Sequence, residues 1–285
     1  MDLYLCGTKG LAALNTAIRH SHQISKVFVQ PDPGLLNDPY DLMLNLIRLN
    51  GLDLGTNKSS IDASEALAVG WKFLIEKPYL KLFVIHDSVL PKFRGWNPLV
   101  TALQSGEAEI GATLILADAH MDHGPILKQL SVEAKYPFKI LDAMIAVEGI
   151  ISDLTEFLFK NTDRNTIPMM VQQENMATYS IWRDEDDYRI DWRRPAEDIL
   201  LFIDSVSYPY HGAKTTLNSQ VIRVFEARLV EDIEVVNREP GKVWKISNGH
   251  PQVLCKIGLI EILRMSINNE DTTPFFLKST KSRFI

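Results

Sequence analysis

A histidine and an aspartate directly follow an apolar run in the stretch FVIHDS, residues 83–88. A histidine titrates near neutral pH, so His86 at the end of a buried strand could act as a general acid or base. The alternative is a structural role, in which His86 only forms a hydrogen bond where the strand ends. The next stretch, PKFRGWNP (residues 91–98), contains two prolines and a glycine, which are residue types that fix turns. The pattern therefore predicts a titratable group beside a rigid turn.

A second group of ionisable residues lies in the stretch DAHMDHG, which supplies Asp118, His120, Asp122, His123 and Gly124. A catalytic histidine needs a buried carboxylate, because the carboxylate fixes the tautomer and stabilises the imidazolium. A turn that uses Asp122 and Gly124 for its backbone geometry would explain the same residues. Zinc also accepts these side chains, but no cysteine is close and no H-E-x-x-H helix is present, so we expect no metal.

Other chemistries lack their motifs. Ser88 is not part of a G-x-S-x-G nucleophile turn, and an apolar pair and a proline follow it, which favours a hydroxyl that caps the backbone. The stretch GTKG, residues 7–10, does not match the dinucleotide fingerprint, and no Walker loop is found. Cys6 and Cys255 lie far apart in apolar stretches, which predicts buried thiols rather than a disulfide or a metal finger.

The elements around His86 alternate between strand and helix patterns. Strands are predicted at residues 3–7, 25–32 and 80–85, and helices at 11–20 and 38–52. Strands that alternate with helices predict right-handed crossovers and a mostly parallel sheet. Ligands bind beyond the carboxyl ends of the strands in such sheets, which is where His86 would lie.

The pattern changes in the second half of the chain. Two strands, at residues 111–119 and 124–134, are joined by the turn HMDHG, and a helix covers 137–161. This helix has one apolar stripe, made of Ile140, Met144, Val147, Ile151, Leu154 and Leu158. A charged segment and a run of short strands follow, which predict a small all-β unit. We therefore expect an α/β domain over residues 1–182 and a β-rich domain over 183–285.

Composition limits the classes of function. The chain has 285 residues, a formal net charge of −6 and a pI of about 5.7, which argues against a large nucleic-acid partner. The N-terminus lacks the basic and apolar regions of a signal peptide, and no apolar run is long enough to span a membrane. A cytoplasmic protein is expected.

The two groups of ionisable residues together resemble the folate-dependent formyltransferases, which include methionyl-tRNA formyltransferase, glycinamide ribonucleotide transformylase and the sugar N-formyltransferases. The first motif of that family matches His86, Ser88, Leu90, Pro91, Arg94, Gly95 and Pro98. The second matches Gly106, Gly111, Thr113, Asp122 and Gly124. The interval of 36 positions from His86 to Asp122 also agrees with the family's (122 − 86 = 36). The stretches DYRIDW (residues 187–192) and YPYHGA (residues 208–213) and the β-rich tail look like the linker and barrel of the longer members.

The resemblance implies a Rossmann-like, mostly parallel formyltransferase domain followed by a smaller OB-like barrel. It implies that His86 takes a proton from an amine that attacks the formyl carbon of 10-formyltetrahydrofolate, and that Asp122 orients His86. It also implies that the co-substrate, with no catalytic metal, is bound by Ser88, Val89, Leu90, Arg94, Gly95, Thr113 and Gly124.

The sequence departs from the family at Val84, where the family has an asparagine two positions before the histidine. That amide donates a hydrogen bond to the formyl oxygen, and the loss of one such donor costs roughly 10²–10³ in rate. A protonated Asp87, Ser88, Asn97 or a backbone N–H of the HMDHG turn could replace it. A chain without such a donor would be a weak enzyme or a non-catalytic folate- or sugar-binding relative.

The acceptor amine is predicted from charge and length. A nucleotide-linked amino sugar, as in lipopolysaccharide biosynthesis, fits the acidic pI and the small C-terminal domain. Methionyl-tRNA fits the C-terminal domain but needs a basic face, which the tail does not show. The β-rich tail disfavours glycinamide ribonucleotide, and a different amine is the remaining alternative. The resemblance also implies a homodimer.

Overall fold

The computed structural model describes residues 1–56, 63–75, 78–267, 270–271, 277 and 279–285. The chain forms two compact units. The first comprises Met1–Ala102, Ala108–Ala134 and Asp142–Trp182, and the second comprises Leu103–Glu107, Lys135–Leu141 and Arg183–Ile285. Two short early segments thus belong to the second unit, and the domain limits 1–182 and 183–285 stay a prediction.

The first unit is built on a six-stranded sheet with the order β2-β1-β3-β4-β6-β7. Strands β1 to β4 run parallel, as the sequence predicts, whereas β6 and β7 form an antiparallel hairpin beside β4. Two-residue strands β5 and β8 pair separately. The strands are β1 (Asp2–Cys6), β2 (Val27–Gln30), β3 (Glu65–Val69), β4 (Lys81–His86), β5 (Arg94–Gly95), β6 (Glu109–Leu116), β7 (Ile126–Glu133) and β8 (Tyr179–Ser180).

Side chains of one face of the parallel strands form an apolar cluster. Tyr4 stacks on Phe28 with 4.5 Å between ring centroids, and the small side chains Ala66 and Ala68 of β3 complete the buried part. Trp71, Ile75 and Tyr79, which follow β3, pack over this face together with Leu82 and Val84 of β4. Because side chains alternate along a strand, His86 projects from the same face as Leu82 and Val84.

The helices are α1 (Gly7–Ala17), α2 (Tyr40–Leu49), α3 (Pro98–Gln104), α4 (Ile140–Lys160) and α5 (Ala196–Val206). The six residues of the apolar stripe predicted for α4 are all buried. Asp38, two residues before α2, does not cap that helix, and its carboxylate accepts a hydrogen bond from the backbone N–H of Asp32 at 2.8 Å. None of the helices in the described ranges is long and apolar enough to cross a membrane.

The second unit contains a separate antiparallel sheet with the order β11-β12-β13-β10-β9, as the predicted fold class requires. Lys242 and Leu217, which lie at opposite edges of this sheet, both pair with the segment 282–285 through bridges to Arg283 and Phe284. That segment closes the sheet into a barrel-like ring. The strands are β9 (Ala213–Leu217), β10 (Gln220–Val230), β11 (Val243–Ser247), β12 (His250–Leu254), β13 (Leu259–Ile267) and β14 (Glu270–Asp271).

Both cysteines are free and buried, as predicted. Burial raises the pKa of the Cys6 and Cys255 thiols to about 12. These thiols therefore remain protonated near neutral pH and pack as small apolar side chains.

Candidate active site

His86 ends β4 at the carboxyl edge of the parallel strands and is 7% exposed. Its Nε2 lies 2.9 Å from the carbonyl oxygen of Phe93. A carbonyl can only accept, so Nε2 carries a hydrogen, and Nδ1 of the neutral ring keeps its lone pair. Nδ1 lies 3.5 Å from the Asp122 carboxylate. A proton that reaches this edge of the ring would give an imidazolium with a partner for each N–H, so the geometry suits a proton acceptor.

Asp122 is held in a fixed orientation by its backbone and its carboxylate. Its φ of +52° lies in the left-handed region, which Asp and Asn tolerate better than most residues. Its Oδ2 accepts a hydrogen bond of 2.8 Å from the backbone N–H of Gly95, and the same oxygen faces His86. The structure thus brings together two residues that are 36 positions apart in the sequence.

Gln172 fixes the backbone of Asp122 and of the residues that follow it. Its Nε2 donates to the carbonyl oxygens of Asp122 and Gly124, both at 2.8 Å. Its Oε1 accepts from the Arg94 guanidinium at 3.0 and 3.1 Å, and Arg94 also binds the carboxylate of Glu174. Arg94 is only 2% exposed, so its described contacts organise the Asp122 loop, and a contact with the co-substrate stays a prediction.

Sequence reasoning missed Gln172 and Glu174. Both lie after α4 in a segment that carries no motif, and Glu174 begins a short 3₁₀ helix (Glu174–Met176). The available signal was indirect, because a buried arginine needs a carboxylate or amide partner somewhere in the fold.

Ser88 and Val89 lie in the turn that follows β4, and both take part in its internal hydrogen bonds. The Ser88 hydroxyl donates to the carbonyl oxygen of Lys92 at 2.8 Å, and the Val89 carbonyl accepts from the Lys92 N–H at 3.2 Å. Ser88 is therefore a backbone-capping hydroxyl rather than an activated nucleophile. Contact of either residue with the co-substrate stays a prediction.

Thr113 and Gln129 fasten the same turn to the β6–β7 hairpin. The fully buried Thr113 hydroxyl donates to the Ser88 carbonyl at 2.7 Å and accepts from the Leu90 N–H at 3.2 Å. The Gln129 amide donates to the Leu90 carbonyl and to the Thr113 hydroxyl, both at 2.8 Å. These contacts give Thr113 and Leu90 a role in shaping the turn, and their contact with the co-substrate also stays a prediction.

Gly95 and Gly124 are required by close backbone approaches. A Cβ on Gly95, whose φ is +102°, would lie 2.5 Å from the Ser180 carbonyl oxygen, and one on Gly124 would lie 1.8 Å from that of Leu116. Both distances are too short for a side chain. The two glycines thus have a structural reason to match the family, whether or not they also contact the co-substrate.

Gly124→Ala should lower the free energy of unfolding by roughly 2–3 kcal/mol, because the added methyl group must displace the backbone of Leu116. Gly149→Ala is the matched control. Gly149 lies in α4 with no atom within 4 Å of the position that a methyl group would take, so alanine should raise stability by about 0.5–1 kcal/mol. Urea denaturation of both variants measures the difference. Equal stabilities of the two variants would contradict the close approach.

An ion pair lies beside His86. Lys9 Nζ of α1 is 2.5 Å from the carboxylate of Asp87, and both side chains are largely buried. Burial alone would raise the pKa of Asp87, but the Lys9 ammonium outweighs this effect and holds that pKa below its usual value. Asp87 is therefore an ionised acceptor, which argues against the idea that a protonated Asp87 replaces the missing amide. Sequence reasoning missed Lys9, which sits in the GTKG stretch.

The other candidates for the missing amide have partners. The Ser88 hydroxyl is used by Lys92, and Asn97 Nδ2 lies 3.4 Å from the Ile181 carbonyl oxygen. Val84 itself packs against two apolar clusters of the sheet and offers no polar atom. Lys9 also has a partner in Asp87, but an ammonium group carries three N–H donors, so Lys9 is kept as a candidate together with the backbone N–H groups of the HMDHG turn.

The remaining ionisable residues of the HMDHG region form a small exposed group. His123 Nδ1 lies 2.6 Å from an Asp118 carboxylate oxygen. One potential ligand atom from each of Asp118, His120 and His123 lies within 4.8 Å of the other two. Slight burial would raise the pKa of Asp118, but the hydrogen bond from His123 outweighs this effect and lowers that pKa. These three residues could hold a metal by ligand type, and a site without metal stays a prediction.

Comparison with known proteins points to one family for both units. The model of the family described as "Formyl transferase" matches residues 68–138, and that of "Formyl transferase, C-terminal domain" matches residues 183–275. A methionyl-tRNA formyltransferase of Nitrobacter hamburgensis is 28% identical over 289 residues, which cover 93% of this chain and 91% of the relative.

Solved structures share the fold at lower identity. WlaRD, a sugar 3N-formyl transferase solved with dTDP and 5-N-formyl-THF, has a TM-score of 0.70 and 16% identity over 94% of this chain and 97% of its own. An N-formyltransferase of Helicobacter canadensis, in complex with folinic acid and dTDP-3-aminofucose, has a TM-score of 0.68 and 15% identity over 92% and 98%. HypX of Aquifex aeolicus has a TM-score of 0.64 and 18% identity over 95% of this chain, which spans about half (45%) of HypX.

Proposed function

Because the chain belongs to the folate-dependent formyltransferase family, we propose that it transfers a formyl group from 10-formyltetrahydrofolate to the amine of a nucleotide-linked amino sugar. The observation that carries the proposal is the His86–Asp122 pair at the carboxyl edge of the sheet, with Nδ1 3.5 Å from the carboxylate. An amine that forms a new bond to carbon must lose a proton, and this pair can accept one.

The residues present fit the chemistry that a formyl donor needs. The co-substrate supplies an activated formyl group bound to nitrogen. The protein must accept a proton from the incoming amine, return one to the departing nitrogen, and donate a hydrogen bond to the formyl oxygen as charge develops on it. His86 and Asp122 supply the first two functions by holding the proton at Nδ1. Lys9 supports the third function, because its ammonium lies beside the residue that follows His86.

We expect Val84→Asn to leave turnover within about threefold of the parent, because Lys9 already provides the donor. Lys9→Gln should lower turnover roughly 10²–10³-fold, the usual cost of one lost donor to a developing oxyanion. In the Lys9→Gln background, Val84→Asn should then restore turnover at least tenfold. Steady-state rates of the three variants measure the effect.

Lys9→Arg is the matched control for the preceding prediction, since it keeps the charge and the ion pair with Asp87. A tenfold or larger rise on Val84→Asn alone would show that nothing replaces the family's amide. Unchanged turnover in Lys9→Gln, with the thermal midpoint retained, would assign the donor to a backbone N–H instead.

The amino-sugar acceptor is supported by charge. Residues 183–285 contain 15 lysines and arginines and 16 aspartates and glutamates, so the segment carries no basic surplus, and the whole chain has a net charge of −6. Binding of a large RNA depends on neutralising phosphates with basic side chains. The Helicobacter canadensis enzyme, which was solved with dTDP-3-aminofucose, also covers nearly the same length of chain. Methionyl-tRNA is the second candidate, because the Nitrobacter hamburgensis relative acts in that class and matches 93% of this chain.

The experiment is the release of tetrahydrofolate by the purified full chain from 10-formyltetrahydrofolate, with dTDP-, UDP- and GDP-linked amino sugars or initiator methionyl-tRNA as acceptor. Release that depends on an amino sugar supports the proposal. Release with methionyl-tRNA alone would make methionyl-tRNA, and not an amino sugar, the acceptor. No release with any acceptor would contradict the proposed formyl transfer.

A further inference from the structure

Helix α2 carries more apolar residues than the first unit covers. Four leucines, one isoleucine and one methionine stand among its ten residues, yet only Met43 and Ile47 are buried. An ordinary surface helix turns one apolar stripe towards the core, and a helix that is apolar over most of its circumference is covered on further sides. Part of the apolar surface of α2 is therefore left without a covering element.

The uncovered surface is a row of three leucines. Leu42, Leu46 and Leu49 follow one another at steps of four and three residues, so they lie along one side of the helix. Leu42 is 50% exposed and Leu49 is 81% exposed, and Leu46 is half-buried between them. We call these three residues the leucine stripe. A single exposed leucine needs no explanation, whereas contiguous apolar surface marks an interaction site.

Two charges flank the leucine stripe on one side. Asp41 lies in the first turn of α2 and Arg48 in the last turn, and both are exposed. They are seven residues apart, which is close to two full turns, so they lie on the same side of the helix. Neither has an ion-pair partner among the described residues. A helix with a negative charge at its start and a positive charge at its end is complementary to an antiparallel copy of itself.

The leucines and the charges agree on one alignment of two such helices. When Asp41 is placed opposite Arg48 of an antiparallel copy, Leu42 comes within one residue of Leu46 of that copy. The exposed Asn45 then lies near the two-fold axis. In an antiparallel pair, each flank of one helix faces the same flank of the other, so both ion pairs form beside the leucine contact.

We propose that α2 is the interface between two copies of this chain, whose leucine stripes pack against each other in antiparallel directions about a two-fold axis. The same surface of both copies is used, so the contact closes at a dimer. A ten-residue helix is only about 15 Å long, so the contact is smaller than the roughly 800 Å² per partner of a standard stable interface. We therefore expect a weak dimer that depends on protein concentration and requires neither the co-substrate nor the acceptor.

Sedimentation velocity of the full chain measures the association, and the wild type should change from monomer to dimer between about 1 and 100 µM. The double variant Leu42→Glu with Leu49→Glu should stay monomeric throughout, because the contact would bury unpaired charges. Leu229→Glu is the matched control, since Leu229 is 44% exposed in the second unit, and this variant should dimerise like the wild type.

Charge reversal tests the antiparallel arrangement. Asp41→Arg should weaken the dimer about tenfold, because it places like charges opposite each other, and Arg48→Asp should have the same effect. The double reversal restores opposite charges, so its dissociation constant should return to within about threefold of the wild-type value. A double reversal that dimerises no better than either single variant would overturn the arrangement.

Cross-linking gives a second measurement that does not depend on the leucine variants. Cys6 and Cys255 are both buried, so Asn45→Cys introduces the one exposed thiol of the chain. A short bismaleimide should join two copies of Asn45→Cys, whereas Ser21→Cys, at an exposed position outside α2, should give little dimer.

The wild type remaining monomeric up to about 100 µM would overturn the proposal. So would a dimer that survives the double leucine variant with its thermal midpoint unchanged, because the interface would then lie on another surface. If the double leucine variant unfolds, the cross-linking decides. Equal yields of dimer from Asn45→Cys and Ser21→Cys would overturn the proposal, and dimer from Asn45→Cys alone would support it.

Discussion

Replacement of His86 with asparagine should lower turnover by about 10²- to 10⁴-fold, the range for loss of a general base. Asparagine is shorter than histidine and its amide occupies the position of Nδ1 rather than Nε2, so the variant also loses the 2.9 Å contact with the Phe93 carbonyl. The hydrogen bonds of Ser88 to Lys92 and of Thr113 to Ser88 should keep the shape of the turn after β4. The loss that lowers turnover is that of the Nδ1 lone pair that faces Asp122. Release of tetrahydrofolate under saturating substrates measures the change in turnover.

His120→Asn is the matched control for His86, because His120 is exposed and 34 positions away, on the loop that carries Asp122. The control should keep turnover within about threefold, and both variants should keep the parent's thermal midpoint. A His86→Asn enzyme that works within a few-fold of the parent, with its fold intact, would remove His86 from the role of proton acceptor.

Replacement of Asp122 with asparagine should reduce turnover by about 10²- to 10⁴-fold, as in other histidine–carboxylate pairs. Asparagine tolerates the left-handed φ of +52° as well as aspartate does, so the backbone should not change. The amide can still accept from the Gly95 N–H, but it cannot stabilise a proton on His86 Nδ1. The charge, and not the geometry, is therefore the quantity that this variant removes.

Asp118→Asn separates this effect from a general disturbance of the loop. Asp118 lies four residues before Asp122 and binds His123 rather than His86. Its variant should retain turnover within a few-fold, and folate binding should be nearly unchanged in both variants. Comparable losses in Asp118→Asn and Asp122→Asn would indicate that loop structure, and not the Asp122 carboxylate, supports turnover.

The sequence was sufficient for the parallel strands that lead to His86 and for the pairing of His86 with Asp122. Both depend on local signals, because an apolar run predicts a buried strand and a family motif fixes the spacing of the two residues. The fold class was confirmed for the same reason. The α5 helix was missed because charged residues dominate the start of its segment and hide the apolar face of Ile199 and Ile203.

Contacts between distant segments could not be predicted where no motif specifies both partners. Lys9 meets Asp87 across 78 positions, and Arg94 meets Gln172 across the same number, with no motif at one end of either pair. The family motif gave Arg94 but not its contacts with Gln172 and Glu174, and its contact with the co-substrate stays a prediction. Partner choice in such networks depends on the tertiary fold, which periodicity and spacing do not encode.

The second unit is made of three separate segments of the chain, which affects how domains can be exchanged between relatives. Arg183 binds the side chain of Gln104 at 2.7 Å, and Tyr136 binds the carbonyl oxygen of Glu107, so segments 103–107 and 135–141 are integral to that unit. A chimera that exchanges only residues 183–285 would combine them with segments 103–107 and 135–141 of the other parent protein, so contacts such as that of Arg183 with Gln104 would be lost. The unit also depends on contacts of high sequence separation, which form slowly because long loops must close first. To exchange this unit intact, a chimera must therefore exchange all three segments, Leu103–Glu107, Lys135–Leu141 and Arg183–Ile285, together.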